Sequence, residues 1–188
     1  MRIITGIAKG KPLTTLEGEA TRPTGEKVKE AIFSALQFEI EGRRVLDLFA
    51  GSGQLGLEAM SRGAESVLFS DASAEAIAVV KENARRTGFF DKCRYLISDY
   101  RNVLRKEAGR SQFHLVFLDP PYAMHACADA CRRLLEGELL LPGCILVLES
   151  EEEDVFGGDE ALAARFILRK ASRYSRTWIH ILEYPGKD

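Results

Sequence analysis

The stretch "FAGSGQLG", residues 49–56, decides the fold because it matches the pattern G-x-G-x-x-G at Gly51, Gly53 and Gly56. An apolar run precedes it and "LGLEAMSRG" follows it, so the glycines lie at a strand-to-helix turn. Glycines permit the sharp turn and leave no Cβ between backbone and ligand, and the following helix offers N–H groups to an anion. Nicotinamide enzymes and S-adenosylmethionine enzymes both need this geometry, so the motif alone leaves the nucleotide open.

Outward from this turn, apolar runs alternate with helical stretches. The runs predict strands at 44–50, 66–70, 93–98, 114–119 and 144–150. The stretches predict helices near 54–62, 73–87, 101–108 and 124–136. Near-continuous hydrophobic strands with helices between them indicate an α/β fold with a mostly parallel, doubly wound sheet. The tail, 165–184, is typical of two strands and a turn, so we expect an antiparallel hairpin to close one sheet edge.

The N-terminal part has a different pattern. Residues 2–15 predict a short β-hairpin around Gly6 and Gly10, and a loop with Pro23 follows. A helix is expected from an N-cap at Thr24 to Ile40. A chain of 188 residues is long enough for one core and short for two domains. We therefore predict a single domain over 1–188, with an appendage at 1–41 and a core at 42–188.

Composition excludes several classes. No run approaches the roughly 18 apolar residues of a membrane span, and the start carries charges where a secretion signal is apolar. We expect a soluble, cytoplasmic protein without membrane association. Cys127 and Cys131 lie one helical turn apart near His125, which leaves a metal site as an alternative. Buried free thiols in a reduced compartment are the ordinary explanation, and no metal is predicted.

The net charge of −2 hides a strong segregation of charge. Residues 85–110 contain eight bases and three acids, and 165–176 contain five bases and no acid. Residues 136–160 contain nine acids and no base. This segregation permits a basic face that meets a polyanion, although solvated helix faces give similar counts.

Acidic residues fall at the ends of four predicted strands: Asp47, Asp71, Asp99 and Asp119. Ligands of doubly wound sheets lie outside the carboxyl ends of the strands. Asp71 follows Gly51 by 20 residues, where a carboxylate accepts hydrogen bonds from ribose hydroxyls. Asp99 is placed to accept from an adenine amine. The alternative is that Asp71 and Asp99 only end strands and start turns.

The stretch "DPPY", Asp119–Tyr122, suits methyl transfer to the exocyclic amine of a base. The lone pair of such an amine is delocalised into the ring, so the nitrogen must be turned toward the methyl donor. The Asp119 carboxylate and the Pro120 carbonyl can each accept one N–H, and Pro120 and Pro121 hold these acceptors rigidly. Tyr122 can stack on a base flipped out of its helix. A simple turn after a strand is the alternative.

Two stretches, "LDLFAGSGQLGLEAMSRGA" (46–64) and "LVFLDPPY" (115–122), resemble class I S-adenosylmethionine-dependent methyltransferases. With "RIITGIAKGKPL" (2–13) and "TRPTGEKVKEAIFSAL" (21–36), nearly the whole chain is similar to the RsmD family, bacterial enzymes that methylate N2 of one guanine in small-subunit ribosomal RNA. The resemblance implies a Rossmann-like sheet with an antiparallel last strand. It also implies S-adenosylmethionine as the cofactor and 16S rRNA, or the assembling small subunit, as the partner. We expect the protein to be a monomer.

The resemblance also implies roles for individual residues. The donor site is expected to include Asp47, Phe49, Gly51, Ser52, Gly53, Asp71 and Asp99. The catalytic residues are expected to be Asp119, Pro120, Pro121 and Tyr122, around the guanine. Lys9, Lys11, Arg22 and Thr24 are expected to face RNA. Gln54 departs from the alanine that is usual after the second glycine.

Three other functions remain as alternatives. "DPPY" serves exocyclic amines generally, so a DNA adenine-N6 methyltransferase is one, although no insertion is large enough for a DNA-recognition domain. A nicotinamide dehydrogenase is another, and the cofactor retained in a binding assay distinguishes it. The intact stretch Asp119–Tyr122 argues against the third, a catalytically silent RNA-binding module.

Overall fold

A computed structural model describes residues 1–16, 25–121 and 124–187 of the chain. The helices are α1 (Gly25–Ala35), α2 (Gln54–Ser61), α3 (Ala74–Thr87), α4 (Tyr100–Glu107), α5 (Cys127–Glu136) and the short α6 (Glu160–Ala163). The strands are β1 (Arg44–Asp47), β2 (Ser66–Asp71), β3 (Cys93–Ile97), β4 (Phe113–Leu118), β5 (Leu140–Ser150), β6 (Ile167–Tyr174) and β7 (Thr177–Tyr184).

The strands form one seven-stranded sheet in the order β3-β2-β1-β4-β5-β7-β6. Strands β1 to β5 are parallel, β7 is antiparallel to β5, and β6 is antiparallel to β7. The predicted mostly parallel sheet and its C-terminal antiparallel hairpin are therefore confirmed. The strand order reverses between β1 and β4, and this reversal opens a crevice at the carboxyl edge of the sheet.

The core lies on both faces of this sheet. Val45, Phe69 and Phe117 belong to the core cluster on the face of α1, α2 and α3, and Leu46 and Val116 to the cluster on the opposite face. Successive side chains of a strand point to opposite faces, so strands covered on both sides have continuous apolar sequences. This burial explains why the strands could be located from the sequence.

Local signals set the ends of α3 and the packing of α2. The Ser73 hydroxyl accepts a hydrogen bond from the Ala76 amide at 3.2 Å, and Gly88 ends α3 in the left-handed region at φ 89°. A Cβ at Gly56 would lie 2.3 Å from Cε1 of Phe69. The third glycine of the motif therefore allows α2 to pack closely on β2.

The predicted N-terminal hairpin is present: an antiparallel bridge joins Arg2 and Pro12, and backbone hydrogen bonds of 2.9–3.0 Å join residues 1–3 to residues 10–13. The hairpin also bonds to α2, because the amide of Ile7 donates to the Ser61 carbonyl at 2.9 Å. At Gly6, with φ 88°, an added Cβ would lie 1.8 Å from that carbonyl oxygen. Contact with α2 therefore fixes the position of the hairpin on the core.

Other boundaries differ from the prediction. Helix α1 ends at Ala35 instead of Ile40, and its predicted cap, Thr24, lies outside the described residues. Helix α5 begins at Cys127 and not at 124, because His125 has φ 45°, outside the right-handed helical region. Strand β5 begins at Leu140, four residues earlier than predicted. The short helix α6 was not predicted.

The N-terminal segment shares the core of the sheet. Ile3, Ala8 and Val28 belong to the same cluster as Phe117 of β4. The division into an appendage at 1–41 and a core at 42–188 stays a prediction. Over the described ranges, no helix combines the length and apolarity that a membrane crossing requires.

Candidate active site

A cavity of about 240 Å³ opens at the carboxyl ends of β1 and β4, where the strand order reverses. Eight of the predicted site residues line it: Asp47, Phe49, Gly51, Asp71, Asp99, Asp119, Pro120 and Pro121. The other residues in its wall are Leu48, Ala50, Gln54, Leu55, Ala72, Ser98, Tyr100 and Met124. The structure thus brings the predicted donor residues and the predicted base-holding residues around one space.

Two predicted donor residues lie outside this wall. Ser52 is fully buried, and its carbonyl accepts a hydrogen bond from Nδ2 of Asn83 at 3.0 Å. Gly53 has φ 79° and precedes α2, where an added Cβ would lie 3.1 Å from Val80. Both residues hold the loop against α3, and their contact with the donor stays a prediction.

Asp47 and Asp71 bind the loop through its backbone. An Asp47 oxygen accepts from the Gly56 amide at 3.0 Å, and the Asp47 residue is only 2% exposed. The two Asp71 oxygens accept from the amides of Gly51 at 3.0 Å and Ser73 at 2.9 Å. These carboxylates occupy amides that an incoming phosphate would need. The expectation that the helix start offers free N–H groups to an anion is wrong for the Gly56 amide.

Asp99 caps α4, since one of its oxygens accepts from the Arg101 amide at 2.9 Å. It is exposed and borders the cavity, so its role in a turn and its place at the site coexist. Asp99 thus starts α4 and also borders the cavity, and its contact with the donor stays a prediction.

Tyr100 is a site residue that the sequence reasoning missed. Its ring lies 5.2 Å from the ring of Phe49 between centroids, and its hydroxyl donates to Asp129 at 2.6 Å. Burial raises the pKa of Tyr100, and the Asp129 carboxylate raises it further. Burial alone would also raise the pKa of Asp129, but hydrogen bonds from Tyr100 and two arginines hold it well below its ordinary value. The two rings are tilted by 46° to each other, and this fixed aromatic pair gives the cavity an apolar wall. The available signal was the tyrosine directly after Asp99.

The segment after β4 carries the predicted catalytic residues. Asp119 is half-buried, Pro120 is buried and Pro121 is exposed. The Pro121 carbonyl accepts from the Met124 amide at 2.9 Å. Strand β4 lies beside β1, with Phe117 opposite Asp47, so Asp119 stands two residues beyond that pair. Tyr122 lies outside the described residues, and its stacking role stays a prediction.

The charge of the cavity distinguishes between the two candidate cofactors, a nicotinamide dinucleotide and S-adenosylmethionine. Its wall contains four aspartates, and within the described part of the chain it contains no lysine, arginine or histidine. A dinucleotide would bring a negatively charged pyrophosphate into this acidic space, whereas a sulfonium donor brings a positive charge.

The buried Oε1 of Gln54 has no hydrogen-bond partner among the described residues. A buried acceptor of this kind calls for a donor group on a ligand. The residues present therefore fit S-adenosylmethionine.

The four predicted RNA-facing residues have different outcomes. Lys11 donates to the carbonyls of Arg86 and Thr87, at 3.3 and 3.2 Å, and so satisfies the C-terminal end of α3. Lys9 is exposed, with no side-chain partner among the residues described. Arg22 and Thr24 lie outside them. Of the two residues that the structure describes, Lys9 has the environment expected for an RNA contact.

The cysteines near the site are core side chains. Cys127 and Cys131 are buried, and Nδ1 of His125 lies 3.3 Å from a carboxylate oxygen of Glu152. Burial, followed by the Asp119 carboxylate, raises the pKa of Cys127 to about 12. The described ranges contain no group of three or more potential metal ligands. A protonated, buried thiol is a poor metal ligand.

Comparison with known sequences places this site in a family. A family profile described as "Conserved hypothetical protein 95" matches residues 1–182. The chain is 34% identical over 154 residues to the ribosomal RNA small subunit methyltransferase D of Haemophilus influenzae, covering 81% of this chain and 80% of that protein. It is 38% identical over 154 residues to YlbH of Bacillus subtilis, covering 81% and 84%. The chain belongs to the RsmD family.

The solved structure of the Escherichia coli protein yhhF has the same fold as this RsmD-family chain. It matches with a TM-score of 0.87 and 26% identity, over 100% of this chain and 99% of that one. The Rossmann-like class I fold and the resemblance to the RsmD family are confirmed. Membership also supports, at the level of the family, the prediction of an S-adenosylmethionine-dependent methyltransferase of ribosomal RNA.

Proposed function

We propose that this RsmD-family chain transfers a methyl group from S-adenosylmethionine to the exocyclic N2 amine of one guanine in 16S rRNA, in the cytoplasm. The observation that carries the proposal is the acidic cavity, because one wall of it is the glycine loop and another is Asp119–Pro121. Donor and acceptor sites that share one space allow direct transfer between them.

The donor half of the cavity is assigned to the residues near the glycine loop. Asp71 accepts from the ribose hydroxyls, and Asp99 from the adenine amine, with the Phe49 and Tyr100 rings beside the base. The Gln54 oxygen accepts from the ammonium group of the donor. When bound, S-adenosylmethionine supplies an activated sulfonium methyl group. The surrounding carboxylates favour its positive charge.

The acceptor half is assigned to Asp119 and the two prolines. The Asp119 carboxylate and the Pro120 carbonyl each accept one N–H of the guanine amine, which directs the nitrogen lone pair toward the methyl group. Pro120 and Pro121 have fixed φ, so these acceptors keep their relative position. Tyr122 stacks on the flipped base. Most of the rate enhancement comes from this orientation, because the methyl group is already activated. The proton lost by the amine passes to Asp119 or to water.

The test is mass spectrometry of nucleosides from 16S rRNA. RNA from cells that lack this gene should contain one fewer N2-methylguanosine than wild-type RNA. Incubating small ribosomal subunits from the mutant cells with the purified protein and S-adenosylmethionine should restore it. The D119N variant is the matched control, because it keeps the shape of the side chain and loses the charge. Unchanged N2-methylguanosine, or methyl transfer to adenine in DNA, would contradict the proposal.

A further inference from the structure

The outer strand of the sheet carries bases that the proposed chemistry does not use. Lys170, Arg173 and Arg176 are exposed on β6 and the turn after it, and we name these three residues the basic edge. In the described part of the chain, none of them forms an ion pair. Arg169 differs, because it pairs with Glu39 at 2.8 Å and contacts Glu183 at 3.8 Å. Nε of Arg173 donates to the Ser175 carbonyl at 3.0 Å, and the charges of the basic edge remain exposed to solvent without an acidic partner among the described residues.

The register of the sheet places the basic edge beside the candidate active site. One row of paired residues crosses from β4 to β6: Leu118, Leu148, His180 and Ala171. Asp119 stands one residue beyond this row and Arg173 two residues beyond it, both toward the carboxyl edge. Three strand spacings separate them, a distance of about 14 Å. Strand β6 runs parallel to β5, so the turn with Arg176 lies at the edge where the cavity opens.

We propose that the basic edge binds the phosphate backbone of rRNA nucleotides that flank the target guanine. The inference rests on the proposed function, since it adds a second contact surface to the same RNA. Lys170 and Arg173 are about 10 Å apart along the strand, and their side chains leave it on opposite faces, because Lys170 pairs with Ile181 and Arg173 with Trp178. Separate charges spread along both sides of an open edge suit successive phosphates of a polyanion, whereas a small anion needs converging donors.

Charges nearby restrict the path of the RNA. Residues 151–154, all acidic and exposed, follow β5 at the same edge. They lie near β7, because the Glu153 carbonyl is 2.8 Å from Nε2 of His180. These acids repel phosphates from the face of α5. The backbone of the RNA is therefore directed along the outer side of β6.

A purely structural explanation for these bases makes a different prediction. The outer side of β6 has no neighbouring strand among the described residues, and Ile167 and Leu168 are 51% and 59% exposed there. Charged side chains on such an edge prevent pairing with strands of other molecules. Glutamates at the same positions would keep this protection and reverse the attraction for phosphate. Charge reversal therefore separates the two explanations.

The test compares the triple variant K170E/R173E/R176E with the matched control R44E/K106E/R110E. The control residues are exposed bases that lie away from the basic edge, so both variants change the net charge equally. Small ribosomal subunits from cells lacking this gene serve as substrate. We expect the triple variant to raise KM at least about tenfold and to leave kcat and the Kd for S-adenosylhomocysteine within about twofold. The control should raise KM less than about threefold.

Binding of a 16S rRNA transcript gives an independent readout. The slope of log K against log salt should fall by roughly 0.7 for each phosphate that the protein no longer neutralises, hence by about 2 in the triple variant. A KM equal to that of the control would overturn the inference. Unchanged transcript binding with impaired methylation of subunits would assign the basic edge to a protein partner, which also overturns it. A wild-type chain that methylates no rRNA would contradict the proposed function, while transcript binding would still test the basic edge.

Discussion

The two ends of α2 use charge in opposite ways. At its start, Asp47 and Asp71 have backbone partners on one side and line an open cavity on the other. Beyond its middle, Glu58 is fully buried, and its oxygens accept from the amides of Ile4 at 2.7 Å and Thr5 at 3.0 Å. The same helix therefore begins at the candidate active site and ends at a structural joint.

We call the buried cluster of Glu58, Lys29 and Arg62 the joint, because these charged side chains bond to one another and to backbone groups of the N-terminal segment. Lys29, 1% exposed, lies 3.6 Å from Glu58 and donates to the Arg2 carbonyl at 2.6 Å. Arg62 contacts the other Glu58 oxygen at 2.9 Å. Burial lowers the pKa of Lys29, against the opposing attraction of Glu58. Acidic groups enclosed by protein partners hold the fold, and those that border open space are available to a ligand.

The largest effect is expected at the joint. E58A would leave Lys29 buried without its acidic partner, so the free energy of unfolding should fall by about 3–5 kcal/mol. E58Q keeps the shape and should show a loss of the same sign if E58A fails to fold. The matched control is E82A, which removes an exposed pair with Arg86 and should cost no more than about 0.5 kcal/mol. Urea denaturation measures these values. Equal losses at Glu58 and Glu82 would contradict a structural role for the cluster.

A slightly smaller effect is expected at Asp119, and on turnover instead of stability. D119A removes one acceptor that orients the amine, so kcat should fall about 100- to 1,000-fold. Calorimetric titration with S-adenosylhomocysteine should give a Kd within about twofold of wild type. Loss of donor affinity with retained turnover would mean that Asp119 belongs to the donor half of the cavity.

At Asp71 we expect a change in donor affinity. D71A removes the predicted ribose acceptor and releases the amides of Gly51 and Ser73, so the Kd for S-adenosylhomocysteine should rise about 10- to 100-fold. The melting temperature of the free protein identifies any part of the loss that comes from unfolding. An unchanged Kd in a folded variant would show that Asp71 only shapes the loop.

The smallest effects are expected at the two N-terminal lysines. Lys11 bonds the end of α3, so K11Q should lower the free energy of unfolding by about 0.5–1 kcal/mol. K9Q should leave stability unchanged and raise KM for ribosomal subunits about two- to threefold. Steady-state kinetics and urea denaturation of both variants check this pair. A loss of stability in K9Q together with a raised KM in K11Q would contradict the environments described for the two side chains.

The sheet and the strand-end aspartates were predictable because they depend on local patterns. Buried strands are continuous apolar runs, and the residue that ends or follows each run marks the carboxyl edge, which located Asp71 and Asp119 correctly. The order of the strands then brings those residues together. The predicted hairpin at the C-terminus was correct for the same reason.

The errors arose where contacts link distant parts of the chain. Motif spacing does not say which peptide of a glycine loop faces a cavity, so it did not show that Ser52 and Gly53 pack toward α3. The N-terminal segment pairs with α2 through Glu58, more than 50 residues away in sequence. The ion pair of Arg169 with Glu39 joins residues 130 positions apart. Contacts of this kind follow from packing and leave no periodic signal.

The most direct test of the account is a crystal structure of the chain with S-adenosylhomocysteine. The central claim is that the acidic cavity between β1 and β4 holds the donor beside Asp119. We expect the ligand in that cavity, with its ribose at Asp71, its adenine beside Asp99 and its sulfur facing Asp119 and Pro120. Ligand density elsewhere, with the cavity between β1 and β4 vacant, would contradict the claim.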